Sequence, residues 1–345
     1  MNTTATSEPA VLEPTGETSD TMMAIVQDNY GSVPGDVLRL AEVDRPTVGD
    51  DEVLVRVGAA SVDRGTVHLM TGMPTLMRLM GFGFRRPKAS NPGRSVAGTV
   101  EAVGHAVTGF EAGDEVYGTA GGTFAEYAVV DPGRLARKPV NLSVGQAAAV
   151  PISGMTAVQA VRLAQVEAGQ RVLITGASGG VGTFAVQLAK AAGAEVTGVC
   201  STSKTDLVLQ LGADHVVDYT REDFTSSGQR YDAIIDIAGN TKLAYMRRAI
   251  EPKGRLVIAG GETEGRILGG FDRQIRALLL SPFVSQKLTV LAAKENADDL
   301  SALRSVIEAG NLAPSVDKSF PLSETAAAIE YVQHGHARGK VVITV

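Results

Sequence analysis

One cysteine, Cys200, in 345 residues leaves no internal disulfide available and suits a reducing compartment, so a cytoplasmic location is expected. Basic runs are just as scarce. Nothing exceeds the short Arg85-Arg86-Pro87-Lys88, and 32 Lys and Arg against 38 Asp and Glu give a net charge of −6, with no broad positive footprint for nucleic acid. No apolar stretch approaches the ~20 residues of a membrane-spanning helix. The first twenty residues, rich in Thr, Ser, Glu and Pro, lack the basic start and apolar middle of a secretory signal and read as a disordered tail over residues 1–21. Neither nucleic acid nor membrane is an expected partner, which leaves a small molecule.

What is present is enough apolar sequence, 44%, for two cores in a chain of this length. The most informative stretch is Val172 to Lys190, where a short apolar strand runs through Gly176-Ala177-Ser178-Gly179-Gly180-Val181-Gly182 into an amphipathic helix. Gly176, Gly179 and Gly182 lack a Cβ where a chain must turn tightly, approach a pyrophosphate and let helix pack on strand. Free N–H groups of Ser178, Gly179, Gly180 and Val181 at the helix start then suit phosphate oxygens. Strand before and helix after separate this pattern from a chance glycine turn and make it a dinucleotide-binding segment of a redox enzyme.

From Met22 to about Val140 short β-type runs (Val53 to Val57, Gly98 to Val103, Glu115 to Tyr117, Glu126 to Val130) alternate with Gly, Pro and Asp, as in a mainly antiparallel barrel. Beyond Pro139 to Ser143 strands alternate with helices, the pattern of a parallel sheet covered on both faces. Six strands are predicted: Arg171 to Thr175, Glu195 to Cys200, His215 to Val217, Tyr231 to Ile237, Arg255 to Ala259 and Leu288 to Leu291. The fold class expected is α/β, a β-barrel domain (residues 22–141) plus a doubly wound Rossmann domain (residues 142–297) with a parallel six-stranded sheet. The last segment (residues 298–345), with helical patterns at Asp298 to Ala309 and Ser323 to Val332 and a final apolar run, is expected to return to the first domain.

Folds that prefer NAD place a carboxylate at the end of the second strand to grip the ribose 2′-hydroxyl. Here that end reads Cys200-Ser201-Thr202-Ser203-Lys204, with no carboxylate before Asp206 and a lysine available for a 2′-phosphate. NADP(H) is therefore the expected cofactor. The alternative is that Lys204 is an ordinary solvated lysine.

Several blocks in this order resemble the medium-chain dehydrogenase/reductase superfamily and its zinc-free, quinone-oxidoreductase-like branch. They are Val53 to Val57, Pro92-Gly93-Arg94-Ser95-Val96-Ala97-Gly98, Gly122 to Tyr127, the glycine turn, Leu211-Gly212-Ala213-Asp214 and Gly339-Lys340-Val341-Val342-Ile343. The resemblance implies that the first domain is chaperonin-10-like, that substrate sits between the domains, that a nicotinamide cofactor transfers hydride, and that the protein is a homodimer or homotetramer. It also implies that Ser201, Lys204 and Tyr219 hold the 2′-phosphate, that Thr156 lies beside the nicotinamide, and that the stretch containing Ala259 and Gly260, together with Lys340, contacts the cofactor. Zinc-dependent relatives carry their ligands where this chain has Asp63, Arg94-Ser95 and Ile152, a set that offers a cation and an aliphatic side chain to a metal. No metal is expected. Asp63 and Arg94 are expected to face each other as an ion pair, or else to point to solvent.

Without a Lewis acid, hydride addition to a simple ketone leaves its alkoxide unsupported. Addition to an enone or a quinone spreads the charge over a conjugated oxygen. An activated, hydrophobic enone or quinone is thus the expected substrate, with Tyr127, His68 and Arg94 as proton-donor candidates beside solvent, although Tyr127 also suits a barrel face and His68 a packed helix. The methionine-rich stretch Met70 to Phe84 is expected to form an adaptable wall of the cleft, or to be ordinary core. Two other functions stay open: an NADP-linked alcohol or aldehyde dehydrogenase without zinc, and a cofactor-binding protein with little turnover.

Overall fold

Apolar runs that alternate on one side of a barrel and run unbroken through a parallel sheet dictate two sheet systems, and a computed structural model shows both for residues 20–261 and 269–345. The expected tail lies, as far as residue 19, outside the described residues.

The six-stranded sheet is parallel. Its spatial order is His215–Asp218, Glu195–Cys200, Arg171–Thr175, Tyr231–Asp236, Ile250–Ile258, Lys287–Val290. Numbered along the chain this is 3-2-1-4-5-6, so the order reverses between Arg171–Thr175 and Tyr231–Asp236, and a crevice opens at their carboxyl ends. Central residues such as Val172, Ile174, Ile234 and Ile235 are fully buried, as expected where helices cover both faces. The predicted strand Arg255 to Ala259 is longer at its start, because Pro252-Lys253-Gly254, which reads as a turn, is taken up as an irregularity in the pairing with Tyr231–Asp236.

The other large sheet has seven strands and is antiparallel except for one pair. Val53–Val62 is its long central strand, flanked on one side by Ser95–Val103 and on the other by Tyr127–Val130 and Lys340–Thr344. The chain's last strand, Lys340–Thr344, is thus built into the first sheet. Thr21–Gln27 and Leu38–Asp44 form a separate hairpin-like pair.

Helix Pro151–Ala164 joins the two halves. Its Met155, Ala157 and Ala160 share one apolar cluster with Ala59 and Ala97 of the first sheet, Val172 and Ile174 of the second, and Leu300, Leu303 and Ile307 of helix Ala297–Glu308. Among the described residues no helix is long and apolar enough to cross a membrane.

Candidate functional site

The glycine turn sits at the crevice where the strand order reverses. Gly176 has φ +68°, a conformation that a side chain rarely tolerates. A Cβ on Gly182 would lie 2.1 Å from the Gly176 carbonyl oxygen, so helix Gly180–Ala191 packs against the turn only because that Cβ is missing. The N-cap, Gly179, offers no capping side chain. No side chain therefore caps the start of this 12-residue helix, whose Gly180 and Val181 line a cavity at the positive end of its dipole; the Gly179 N–H, expected to be free, instead donates to the Gly176 carbonyl at 3.0 Å.

Two adjoining cavities share Gly176, Gly179 and Lys204. The first, about 460 Å³, lies between the domains and is lined by Asp63, His68, Ser153, Gly180, Val181, Ala259, Gly260 and Lys340 among others. The second, about 530 Å³, extends over the second parallel strand and is lined by Ser178, Ser201, Lys204, Tyr219, Glu222 and Asp223 among others. The residues named come from seven separate stretches of sequence and meet along one path.

Lys340 is held at the turn by its neighbour, since the Gly339 N–H donates to the Ser178 carbonyl at 2.9 Å. The lysine is buried, and its amine donates to the Val62 carbonyl at 3.3 Å. Burial pushes its pKa down, and the Asp63 carboxylate pulls in the other direction. Asp63 caps helix Arg64–Thr71, with Oδ1 accepting from the Thr66 N–H at 3.0 Å. Its Oδ2 and the Ser153 hydroxyl are buried without a hydrogen-bond partner in the described structure. Buried polar atoms are rarely left so, and a ligand in the cleft would satisfy them.

Lys204 reaches across from the second strand to the C-terminal segment, where its amine donates to the carbonyls of Gly335 at 2.9 Å and Ala337 at 2.7 Å. An ammonium carries three protons, so one remains for the cavity. Tyr219, 63% exposed, stands beside it. Cys200 is packed beneath, and burial, with Asp218 adding to it, pushes its thiol up to about 11.

Other expected residues fall elsewhere. Arg94 does not pair with Asp63; it is bound by Glu295, which also accepts from the Thr119 hydroxyl at 3.0 Å and faces Arg134 at 3.5 Å. Glu295, 201 residues away in sequence, left no local signal of this pairing. Tyr127 lies outside both cavities, with the Arg45 guanidinium 3.8 Å above its ring. Thr156 donates to the Ile152 carbonyl at 2.7 Å within its own helix, while Ser153, one turn earlier, lines the cleft. Of the proton-donor candidates only His68 lines it, with Nδ1 3.0 Å from the Met73 carbonyl. Met70 is buried in a core cluster, whereas Met73 and Met77 are half-buried and Leu79, Phe82 and Phe84 are exposed. Pro74 of this stretch packs under the Gly269 turn of the other domain, within 2.7 Å of where a Cβ would stand.

The three positions that resemble a zinc site do not make one. Asp63 Oδ1 is committed to its helix, Arg94 is a cation, and Ile152 has no lone pair; among the described residues no group of three or more His, Cys, Asp and Glu converges. A dinucleotide fits far better, because the glycine cradle, the open helix end, Lys340 and Lys204 line one continuous path.

A two-domain α/β protein with a glycine-cradled crevice at the reversal of its parallel sheet defines a class, the nucleotide-dependent dehydrogenases. Residues 49–140 match the family profile described as an alcohol dehydrogenase GroES-like domain, and residues 211–343 match the one described as a zinc-binding dehydrogenase. The chain is 32% identical over 340 residues to the chloroplastic NADPH-dependent alkenal/one oxidoreductase of Arabidopsis thaliana, covering 93% of this chain and 79% of that one. It is 32% identical to 2-methylene-furan-3-one reductase of Solanum lycopersicum, with 99% of this chain and 84% of the relative covered. The solved structure of the quinone oxidoreductase from Coxiella burnetii superposes with a TM-score of 0.82 at 28% identity, covering 94% and 99% of the two chains. This chain belongs to the medium-chain dehydrogenase/reductase superfamily and is an oxidoreductase.

Proposed function

We propose that the protein transfers a hydride from NADPH to an activated, hydrophobic enone or quinone without help from a metal. The observation that carries the reading is the path from the glycine turn to Lys204: no carboxylate stands at the end of the second strand, and Ser201, Lys204 and Tyr219 line the cavity there. Relatives named as an alkenal/one oxidoreductase and as quinone oxidoreductases support the same acceptor class.

When bound, NADPH supplies the hydride; the protein's residues hold it and manage charge. The N–H groups at the start of Gly180–Ala191 would hold the cofactor's pyrophosphate, with the buried Lys340 side chain at the same helix end. As the β-carbon of an enone accepts hydride, negative charge gathers on the carbonyl oxygen and a proton is later delivered to the α-carbon. Of the candidates named from the sequence, His68 is the side chain in the cleft, with solvent as the other source. Met73 and Met77 are half-buried and Leu79 and Phe82 exposed, and although none of them lines the two cavities described, an apolar surface of this kind supports a hydrophobic substrate. A homodimer or homotetramer belongs to the same reading and is checked by light scattering.

Steady-state NADPH oxidation over enones, quinones, ketones and alcohols tests the proposal. Turnover confined to enones or quinones is the expected result. Alcohol oxidation with NADP⁺, or tight NADPH binding without turnover on any acceptor, overturns it in favour of the two other functions.

A further inference from the structure

The first carboxylate after the second parallel strand, Asp206, is covered by a cation from the far end of the chain. Arg338 donates one nitrogen to Asp206 Oδ2 at 2.7 Å and another to the Ser203 carbonyl at 2.6 Å. That hydrogen bond is the main cause holding the Asp206 carboxyl below its usual range. Lys204 lies between these two partners and grips Gly335 and Ala337, on the same loop as Arg338. Burial first, and Arg338 as well, push the Lys204 amine down, while Asp317 pulls it up.

The surroundings are acidic. Glu222 and Asp223 share the cavity with Lys204 and Tyr219. Asp218 is held by the hydroxyls of Thr202 and Thr220 and faces Arg221 at 3.5 Å, and Asp317 accepts from the Arg338 backbone N–H at 2.9 Å. Asp206 lies in the helix after the second strand, two residues from Lys204, and left unpaired its charge would oppose a dianionic 2′-phosphate held by that lysine.

We infer that Arg338 is a positioning residue for cofactor choice: by neutralising Asp206 and fixing the Ser203 carbonyl, it makes the Ser201 to Lys204 turn acceptable to a 2′-phosphate. The inference rests on the NADPH reading above and adds to it a residue 132 positions from its carboxylate partner.

Dissociation constants for NADPH and NADH, read from the quenching of protein-enhanced nicotinamide fluorescence, test it on the full chain. Both side chains are partly solvated, 39% and 59% exposed, which moderates the effect. Arg338→Gln is expected to weaken NADPH roughly five- to tenfold while leaving NADH within about twofold, as for loss of one screened charge contact. Arg338→Lys should keep most of the preference, and adding Asp206→Asn to Arg338→Gln should restore it. Equal changes for both cofactors, or no recovery in the double variant, overturn the inference while NADPH preference in the parent protein keeps the cofactor reading intact. A parent protein that binds both cofactors equally overturns that reading and the inference with it. Should Arg338→Gln fail to fold, Asp206→Asn alone decides: an unchanged or stronger NADPH preference supports the role, and a weaker one refutes it.

Discussion

Replacing Lys204 by alanine separates two duties of one side chain. Its amine makes hydrogen bonds of 2.9 and 2.7 Å to the carbonyls of Gly335 and Ala337, and its third proton is available to a 2′-phosphate. The loop keeps a second anchor, because Arg338 holds the Ser203 carbonyl and the Asp206 carboxylate independently. Loss of the loop contact therefore weakens both cofactors slightly, while loss of the phosphate contact weakens NADPH alone. A hydrogen bond to a charged group contributes about 1.5–3 kcal/mol, which corresponds to a rise of roughly 10- to 150-fold in the NADPH dissociation constant. NADH, without the phosphate, should change by less than about threefold, within the effect of a modest surface contact. Calorimetric titration of each cofactor at two salt concentrations reads both numbers, and the NADPH deficit should shrink as salt rises. Equal losses for the two cofactors would refute the placement of Lys204 at the phosphate.

Gly182→Ala drives a Cβ to within 2.1 Å of backbone that has no side chain to rotate away, so the variant should lose about 1–3 kcal/mol in chemical denaturation and bind neither cofactor tightly. Asp214 accepts from Lys190 at 2.7 Å and from the Val196 N–H at 2.8 Å, and the Lys190 hydrogen bond is the main cause of its lowered pKa. Its contribution is present above the unfolded carboxyl value and is lost as pH falls through the lower folded one, so Asp214→Asn should be less stable near neutrality and converge with the parent in acid denaturation. Cys200, with its thiol pushed up to about 11 by burial, should resist iodoacetamide at pH ~8 in the native protein and react after unfolding, which mass spectrometry reads directly. Trimming Met73 and Met77 to alanine should alter selectivity between short and long enones, and unchanged selectivity would remove the methionine wall from the account.

The parallel sheet was legible because its signals are local: Arg171–Thr175 and Glu195–Cys200 are bounded by the residues that read as their ends, and the glycine turn carries its own steric explanation. Strand Ile250–Ile258 was only half legible, since Pro252 and Gly254 carry turn signals that the sheet absorbs as an irregularity. Leu135–Arg137, with three residues, is too short for a periodic pattern. The site was legible where motifs lie along one stretch, as at Gly176 to Gly182. It was not where distant segments meet: Glu295 takes Arg94, and Arg338 takes Asp206, through contacts that no spacing announces. Ser153 carries no local signal, because a lone serine on an apolar helix resembles any other small residue; only the fold puts its unpaired hydroxyl in the cleft.

The most direct test of hydride transfer to an activated alkene follows the atom itself. NADPH carrying deuterium at C4 of the nicotinamide is incubated with the protein and an α,β-unsaturated ketone in ordinary water, and the product is analysed by NMR. One deuterium at the β-carbon, with an ordinary hydrogen at the α-carbon, is the expected pattern. Deuterium at the carbonyl carbon, or a substrate recovered unchanged while NADPH stays bound, contradicts the account.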